Sequence, residues 1–330
     1  MKRLISGVPF SDCEYYPCGH VALDALLGFY GYATPLALHD QWVFLYHRPQ
    51  TGSLRVSPRI VSEIQSLGRL RIRVIKHREP DVETAWEIVK TRIEHGHPAA
   101  VLLDTFHLER YYYPGLGHHS DHYVIVDGYD DACETVHVVD PSWIVRFRGD
   151  LPVSGFKEGW GSTHIPRYQW MEFRLPEIRR NPTGGEALKT IRRNAGFMLL
   201  NKAPAPGIYV GLNGLRKLAD DLSRWEDVTN GKASESLKGL YDQARSVIIE
   251  RDGHGRYLTV TAEILDSPML AEVGAELQTV TQKWIVFRNL CLKGHRRPRP
   301  ETYEKLNERL LEIAALEEKA LTRLAEVARA

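Results

Sequence analysis

The first 175 residues carry both helical and strand-like hydrophobic patterns. A nearly all-apolar segment, PCGHVALDALLGFYG, predicts a buried helix that begins near Pro17 and ends at Gly31. The segment DVETAWEIVKTRIEHG predicts an amphipathic helix, and it lies between the strand patterns LRIRVIKH and PAAVLLDTF. Two more strand patterns, HYVIVDGYD and TVHVVDP, flank a polar turn. A helix followed by a run of strands indicates an α+β domain rather than repeated βαβ units.

Helical spacing dominates after residue 176. Pro and paired Gly in EIRRNPTGGEAL predict a linker. Four helical patterns follow it: EALKTIRRNAGFMLL, GLRKLADDLSRW, SLKGLYDQARSVIIE and SPMLAEVGAELQTVTQKWIVFRNLCL. The change of pattern predicts a first domain over 1–175 and a mostly α-helical domain over 176–330.

Residues 301–330 carry an apolar stripe close to heptad spacing. The stripe consists of Tyr303, Leu306, Leu310, Ile313, Ala320, Leu324 and Val327. A stripe of this length fits either a last helix packed on its own domain or the seam of a homodimer. The sequence leaves both interpretations open.

Composition and charge narrow the class of protein. Of the 330 residues, 43% are hydrophobic and 26% are charged, as in ordinary globular chains. Apolar runs are too short for a membrane span, and the start of the chain has too short an apolar stretch for a signal peptide, so we expect a cytoplasmic protein. The net charge of +1 does not support nucleic-acid binding. The charge is −4 over 1–150 and +5 over 151–330, which indicates two modules with different surfaces.

One of the four cysteines lies where a reactive thiol is expected. Cys13, Cys18, Cys133 and Cys291 are too few for a disulfide scaffold. Cys18 begins the predicted apolar helix, where the positive end of the helix dipole favours the thiolate, the nucleophilic form. The alternative is an inert, buried cysteine.

The predicted strand pair supplies the two groups that a cysteine nucleophile needs, a base and a residue that orients it. If the hairpin is symmetric about Asp131, His122 pairs directly with Asp140, and His137 faces the opposite side. A slip of one residue would separate His122 from Asp140. Cys18, His122 and Asp140 are therefore the predicted nucleophile, base and orienting residue.

Other polar clusters have weaker interpretations. A zinc site would combine Cys13, Cys18 and His20 with His118 or His119, but the spacing C-x4-C-x-H is not a standard zinc pattern, so we expect no metal. The loop YYYPGLGHHSD, residues 111–121, fits either a substrate-facing lip or loose surface packing. Two basic clusters are typical of solvated surfaces but also suit an acidic partner: Arg179, Arg180, Arg192 and Arg193, and Lys293, His295, Arg296, Arg297 and Arg299.

The order of these motifs resembles that of the papain-like superfamily, especially the bacterial double-glycine-leader peptidases: Cys-Gly at a helix start, then HYVIVDGY, then VVDP. The segments ALKTIRRNAGFMLL, GLNGLRKLADDLSRW, RDGHGRYL and TQKWIVFRNLCLKG are similar to the helical C-terminal domain of the butirosin-biosynthesis BtrH family. The resemblance therefore implies a papain-like catalytic domain followed by a helical domain that covers the cleft and docks a partner.

The resemblance also implies a function. An acyl group would pass from a phosphopantetheine thioester on an acyl or peptidyl carrier protein to a small-molecule or polyamine-type amine. Cys18 would form the S-acyl intermediate, with His122 as base and Asp140 as the orienting residue. No cofactor is expected beyond the phosphopantetheine arm that carries the substrate.

One departure and two other functions remain open at this point. Papain-type enzymes place a Gln shortly before the nucleophile to stabilise the oxyanion, whereas SDCEYYP, residues 11–17, contains none. Ser11 and Tyr16 are alternative donors. The same residues would also suit a cysteine peptidase or amidase, which would release a free acid. A catalytically inactive binding module would keep the fold without a reactive thiol.

Overall fold

The chain combines helices and strands in its first half and is almost entirely helical in its second half. The computed structural model describes residues 1–13, 16–48, 54–60, 62–115, 117–200, 205–225 and 232–327. The helices are Cys18–Phe29 (α1), Thr34–Leu38 (α2), Glu63–Leu67 (α3), Val82–Glu94 (α4), Thr105–Leu108 (α5), Val153–Trp160 (α6), Gly184–Met198 (α7), Gly211–Ser223 (α8), Ala233–Leu265 (α9), Pro268–Arg296 (α10) and Pro300–Val327 (α11). The strands are Lys2–Leu4 (β1), Leu45–His47 (β2), Arg55–Ser57 (β3), Arg73–Arg78 (β4), Ala99–Asp104 (β5), Asp121–Asp130 (β6), Thr135–Asp140 (β7), Phe147–Pro152 (β8), Gln169–Arg174 (β9) and Ile208–Val210 (β10). The predicted α+β class is confirmed.

Two compact units interleave along the sequence. The first comprises Met1–Thr34 and Leu67–Arg180, and the second comprises Pro35–Ser66 and Asn181–Ala330. The boundary near residue 180 lies close to the predicted division after residue 175, whereas residues 35–66 depart from it. They belong to the second unit because β2 and β3 form a sheet with β10. Such a pairing joins segments more than 140 residues apart, so local patterns do not reveal it.

The first unit is built on a seven-stranded antiparallel sheet in the order β4-β9-β5-β6-β7-β8, with β1 also paired to β6. Helices α4 and α6 bury apolar side chains against it, including Trp86, Val89 and Trp160 over Val101 and Val124. Because β5 and most of β6 are buried on both faces, their sequences read as continuous apolar runs. This places β6 and its neighbour β7 at the centre of the unit.

The register of the β6–β7 hairpin differs from the predicted one. Val126 lies opposite Val138, which places Asp140 opposite Val124 rather than opposite His122. The turn covers 131–134, and a bulge interrupts the ladder between Val126 and Gly128, so the assumed symmetry about Asp131 is wrong. The displacement is two residues. Because side chains alternate with a period of two, His122 and Asp140 still share a face of the hairpin.

The second unit contains the three-stranded sheet β10-β2-β3 and the long helices α9, α10 and α11. The predicted stripe of the last helix is buried within this unit, at Tyr303, Leu306, Leu310, Ile313, Ala320 and Leu324. The side chain of Val327 lies outside the described part of the chain. The stripe is therefore part of the unit's own core. In the described ranges, no helix has the length and apolar character that a membrane crossing requires.

The glycine-containing segment RDGHGRY lies inside α9, directly after the predicted helical pattern SLKGLYDQARSVIIE. Its glycines allow close packing. A Cβ on Gly253 would lie 2.1 Å from the ring of His39, and a Cβ on Gly255 would lie 3.1 Å from the backbone oxygen of Gly274. Neighbouring elements thus occupy the space that side chains at positions 253 and 255 would need. Glycine, which has no side chain, allows this close packing.

A buried ion pair joins α9 to α11. Arg251 and Glu317 are both 0% exposed, and Arg251 Nε donates to Glu317 Oε1 over 2.7 Å. The indole N–H groups of Trp42 and Trp284 also donate to the Glu317 carboxylate. These groups all donate hydrogen bonds to the Glu317 carboxylate, and the bonds compensate for the free-energy cost of removing its charge from water.

Candidate active site

Cys18 is the first residue of α1, as the sequence predicted. The residue before it, Pro17, has an extended backbone and makes no side-chain cap to the helix. The first amides of α1 therefore stay directed toward the surroundings of the thiol. Cys18 is partly exposed, and its Sγ lies 4.0 Å from the backbone oxygen of Asp121, at the start of β6.

His122 and Asp140 form a buried hydrogen-bonded pair beside this thiol. His122 Nε2 lies 2.7 Å from Asp140 Oδ2, and the two residues are 5% and 0% exposed. The second carboxylate oxygen, Oδ1, accepts from the backbone N–H of Ser142 over 3.1 Å. Because Nε2 is engaged with Asp140, Nδ1 is the ring nitrogen that remains for interaction with the Cys18 thiol.

The electrostatics of the site favour a thiolate–imidazolium pair. Burial by itself raises the pKa of the Cys18 thiol, but the hydrogen bond and charge of His122, with the backbone N–H of Tyr123, hold that pKa below its usual value. Burial likewise lowers the pKa of His122, but Asp140 and Cys18 outweigh it and raise the pKa of His122 to about 10. The shifts run in opposite directions because each charge stabilises the other.

The segment before α1 is tied to the end of β7. Ser11 N–H donates to the backbone oxygen of Pro141 over 3.2 Å, and Arg146 pairs with Asp12. These contacts hold the chain that leads to Cys18 next to the strand end that carries Asp140.

The two oxyanion donors suggested by the sequence, Ser11 and Tyr16, are both buried. Ser11 Oγ accepts from the backbone N–H of Cys13 and is 1% exposed. The ring of Tyr16 lies 4.4 Å from that of His20. Glu14 and Tyr15 of the same stretch lie outside the described residues.

The other histidines considered from the sequence bond elsewhere. His119 Nδ1 lies 2.7 Å from Asp104 Oδ2, and its ring stacks on that of His164. His137 Nδ1 lies 2.5 Å from Asp127 Oδ1, within the bulge of the hairpin. Among the residues that the structure describes, no group of three or more His, Cys, Asp or Glu side chains is arranged to hold a metal.

The remaining cysteines have different environments. Cys13 and Cys291 are buried, and Cys133 is exposed in the hairpin turn. Burial raises the pKa of Cys291 far above its usual value. Of the four thiols, Cys18 combines access to solvent with a pKa held low.

Two tyrosines of the aromatic loop cover the histidine–aspartate pair, a role that the sequence did not reveal. The ring of Tyr113 packs edge-on against His122, with ring centres 5.0 Å apart. Tyr112 stacks on Phe147 at 4.0 Å and lies close to Asp140. Burial, then the Asp140 charge, raise the pKa of Tyr112 well above 10, so its phenol is neutral. The run of three tyrosines in this loop is the sequence feature that could have indicated this role.

The first unit is thus an α+β domain with a cysteine at a helix start and a buried histidine–aspartate pair on an adjacent hairpin. Two family models match the chain: Butirosin biosynthesis protein H, N-terminal, over residues 17–141, and Domain of unknown function (DUF4872), over residues 162–324. The chain belongs to a BtrH-like family, which indicates a biosynthesis-related enzyme. No curated protein matches the chain.

Proposed function

We propose that the protein is an acyltransferase that moves an acyl group from a carrier-protein thioester to an amine through an S-acyl intermediate on Cys18. The observation that carries this proposal is the series Asp140–His122–Cys18: His122 Nε2 lies 2.7 Å from Asp140 Oδ2, and His122 lowers the pKa of the Cys18 thiol beside it. This series provides an ionised thiol, a base and a residue that orients the base. Membership in the BtrH-like family supports a biosynthetic substrate.

In the first step, the Cys18 thiolate attacks the carbonyl carbon of the thioester. A bond forms between Sγ and that carbon, and the carbonyl oxygen takes the negative charge. The bond to the carrier sulfur then breaks, and the His122 imidazolium gives its proton to the departing thiolate. The exchange of one thioester for another is nearly neutral in free energy, so no nucleotide is required.

In the second step, the amine attacks the S-acyl carbon while neutral His122 accepts a proton from the nitrogen. The carbon–sulfur bond breaks, the amide leaves and Cys18 returns to thiolate. Water competes with the amine at this stage, so transfer depends on exclusion of water from the acyl group. Tyr112 and Tyr113, which cover the His122–Asp140 pair, are suited to this task.

Mass spectrometry of the intact protein tests both steps. Incubation with an acetyl thioester of N-acetylcysteamine, which reproduces the end of the phosphopantetheine arm, should acetylate Cys18 but not a Cys18→Ala variant. Addition of putrescine should then yield N-acetylputrescine faster than free acetate. Release of acetate at the same rate with and without amine would indicate a hydrolase. Failure of Cys18 to acylate would refute the proposal.

The proposed carrier protein is acidic, and the second unit offers a basic surface for it. Lys293, Arg296, Arg297 and Arg299 are exposed at the end of α10 and before α11. Charge reversal of Arg296 and Arg297 to Glu should slow acylation by a loaded carrier protein but not by the N-acetylcysteamine thioester. Reversal of Arg69 and Arg71, two exposed arginines of the first unit, is the matched control.

A further inference from the structure

The side chain of Tyr123 lies against the start of α1, beside the proposed nucleophile. Its backbone N–H helps to lower the pKa of the Cys18 thiol. A Cβ on Gly19 would lie 3.5 Å from Cδ2 and 3.6 Å from Cε2 of the Tyr123 ring. The ring therefore packs against the residue that follows the nucleophile, and its phenol lies on the same side of the sheet as the helix start.

The phenol is held by a residue two strands away. Gln169 Nε2, from β9, donates to Tyr123 Oη over 2.5 Å. Tyr123 lies opposite Leu102 of β5, and the β5–β9 register, with Val101 opposite Trp170, places Gln169 beside Leu102. Residues of one row share a face of the sheet, so the two side chains meet above Leu102.

This hydrogen bond leaves the proton of the phenol available. The amide of Gln169 is the donor, so Tyr123 Oη acts as its acceptor, and a hydroxyl that accepts one bond still has its own O–H to donate. Tyr123 is 7% exposed, so its orientation is restricted by packing. Burial raises the pKa of Tyr123 above 10, which keeps the O–H protonated at neutral pH.

A tetrahedral intermediate on Cys18 needs such a donor. Oxyanion holes supply preorganised donors, and the N–H of Cys18 at the uncapped start of α1 is one of them. The sequence before Cys18 has no Gln for a second donor. Ser11 is 1% exposed, and the buried ring of Tyr16 packs against His20. We infer that Tyr123 Oη is the second oxyanion donor and that Gln169 is the residue that positions it, an inference that rests on the proposed acyl transfer by Cys18.

Two reactions of the same thiol separate this role from a structural one. Acetylation by 4-nitrophenyl acetate forms a bond from Cys18 Sγ to the acetyl carbon, passes through an oxyanion and expels 4-nitrophenolate. Alkylation by iodoacetamide expels iodide and forms no oxyanion. In a Cys133→Ser background, Tyr123→Phe should lower the acetylation rate by about 10²–10³-fold, as for loss of one oxyanion donor. The alkylation rate should stay within about twofold.

The matched control is Tyr129→Phe, which removes a phenol from the same strand that donates to Glu94. It should change neither rate. Gln169→Leu should lower acetylation about tenfold without changing alkylation, because it releases the phenol but does not remove it. The double variant Tyr123→Phe/Gln169→Leu should acetylate no more slowly than Tyr123→Phe alone.

The outcomes that overturn the inference differ from those that overturn the proposed function. Acetylation of Tyr123→Phe within about threefold of wild type, or an equal loss in both reactions, would show that Tyr123 has a structural role. Wild-type protein that reacts with 4-nitrophenyl acetate but not with a thioester would refute carrier-dependent transfer and leave the Tyr123 comparison intact. Absence of any acetylation on Cys18 would refute both.

Discussion

Replacement of Asp140 by Asn tests the electrostatic basis of the candidate site. Asp140 accepts two hydrogen bonds, from His122 through Oδ2 and from the Ser142 N–H through Oδ1. An Asn side chain has one acceptor oxygen and one donor NH2 group, so it satisfies only one of these partners. It also removes the negative charge that favours the imidazolium form of His122.

The expected size of the effect follows from the loss of a hydrogen bond to a charged partner. A hydrogen bond with a charged partner contributes about 1.5–3 kcal/mol, and each 1.4 kcal/mol is about tenfold. Asp140→Asn should therefore reduce the equilibrium constant between the thiolate–imidazolium pair and the neutral pair by about 10–150-fold. The sign is fixed by the direction of the shifts: the pKa of His122 falls from about 10, and the pKa of Cys18 rises toward its ordinary value.

The assay is the rate of alkylation of Cys18 by iodoacetamide between pH 5 and pH 11, with exposed Cys133 replaced by Ser. Below pH 7 the Asn variant should react about 10–150-fold more slowly than its parent. Above pH 10 both thiols are ionised, so the rates should converge. Asp127→Asn is the matched control, because Asp127 is also fully buried and bonded to a histidine on the same hairpin. It should leave the profile unchanged.

Two results would refute the reasoning. A profile of Asp140→Asn within about twofold of its parent at every pH would make Asp140 a structural residue only. A loss that is equal at all pH values would indicate displaced geometry rather than altered protonation. The melting temperature of each variant, measured at the same pH, shows whether the fold is retained.

Three further predictions follow from the same structure. His122→Gln should lower the rate of acyl transfer at least about 10²-fold, whereas the rate for His137→Gln should stay within about twofold of wild type. Equal losses of rate in a thioester assay would contradict the assignment of His122 as the base. Tyr113→Leu should shorten the lifetime of the S-acetyl enzyme in water, as followed by intact mass, and an unchanged lifetime would remove its shielding role. Arg251→Leu should lower the free energy of unfolding by about 3–5 kcal/mol, because Glu317 keeps its charge without its partner; an unchanged urea midpoint would contradict this.

Local periodicity was sufficient for several elements of the fold. The spacing of apolar residues predicted α1, α4 and the strands β4, β5, β6 and β7, because each element buries one face or two along a short segment. The position of Cys18 at a helix start is also a local property. The predicted helical patterns did not extend over the segment that contains Gly253 and Gly255, where atoms of distant residues occupy the space that side chains would need.

In the candidate site, too, some features follow from local sequence and others from contacts with distant residues. Cys18, His122 and Asp140 could be proposed from the sequence because His122 and Asp140 lie on one hairpin. The predicted register was wrong by two residues, but side chains alternate with a period of two, so the two residues share a face in either register. The register itself includes a bulge between Val126 and Gly128, which the turn residues alone do not specify.

The sequence by itself determined helices α1 and α4, strands β4 to β7, the helical character of the second half, and the chemical types that can act as nucleophile, base and orienting residue. Tertiary structure alone decided that residues 35–66 join the second unit, that Tyr113 packs against His122, and that Gln169 reaches Tyr123 from two strands away. These contacts join residues that are far apart in sequence. They are set by strand order and by packing across the whole unit, and a single segment carries no periodic signal of either.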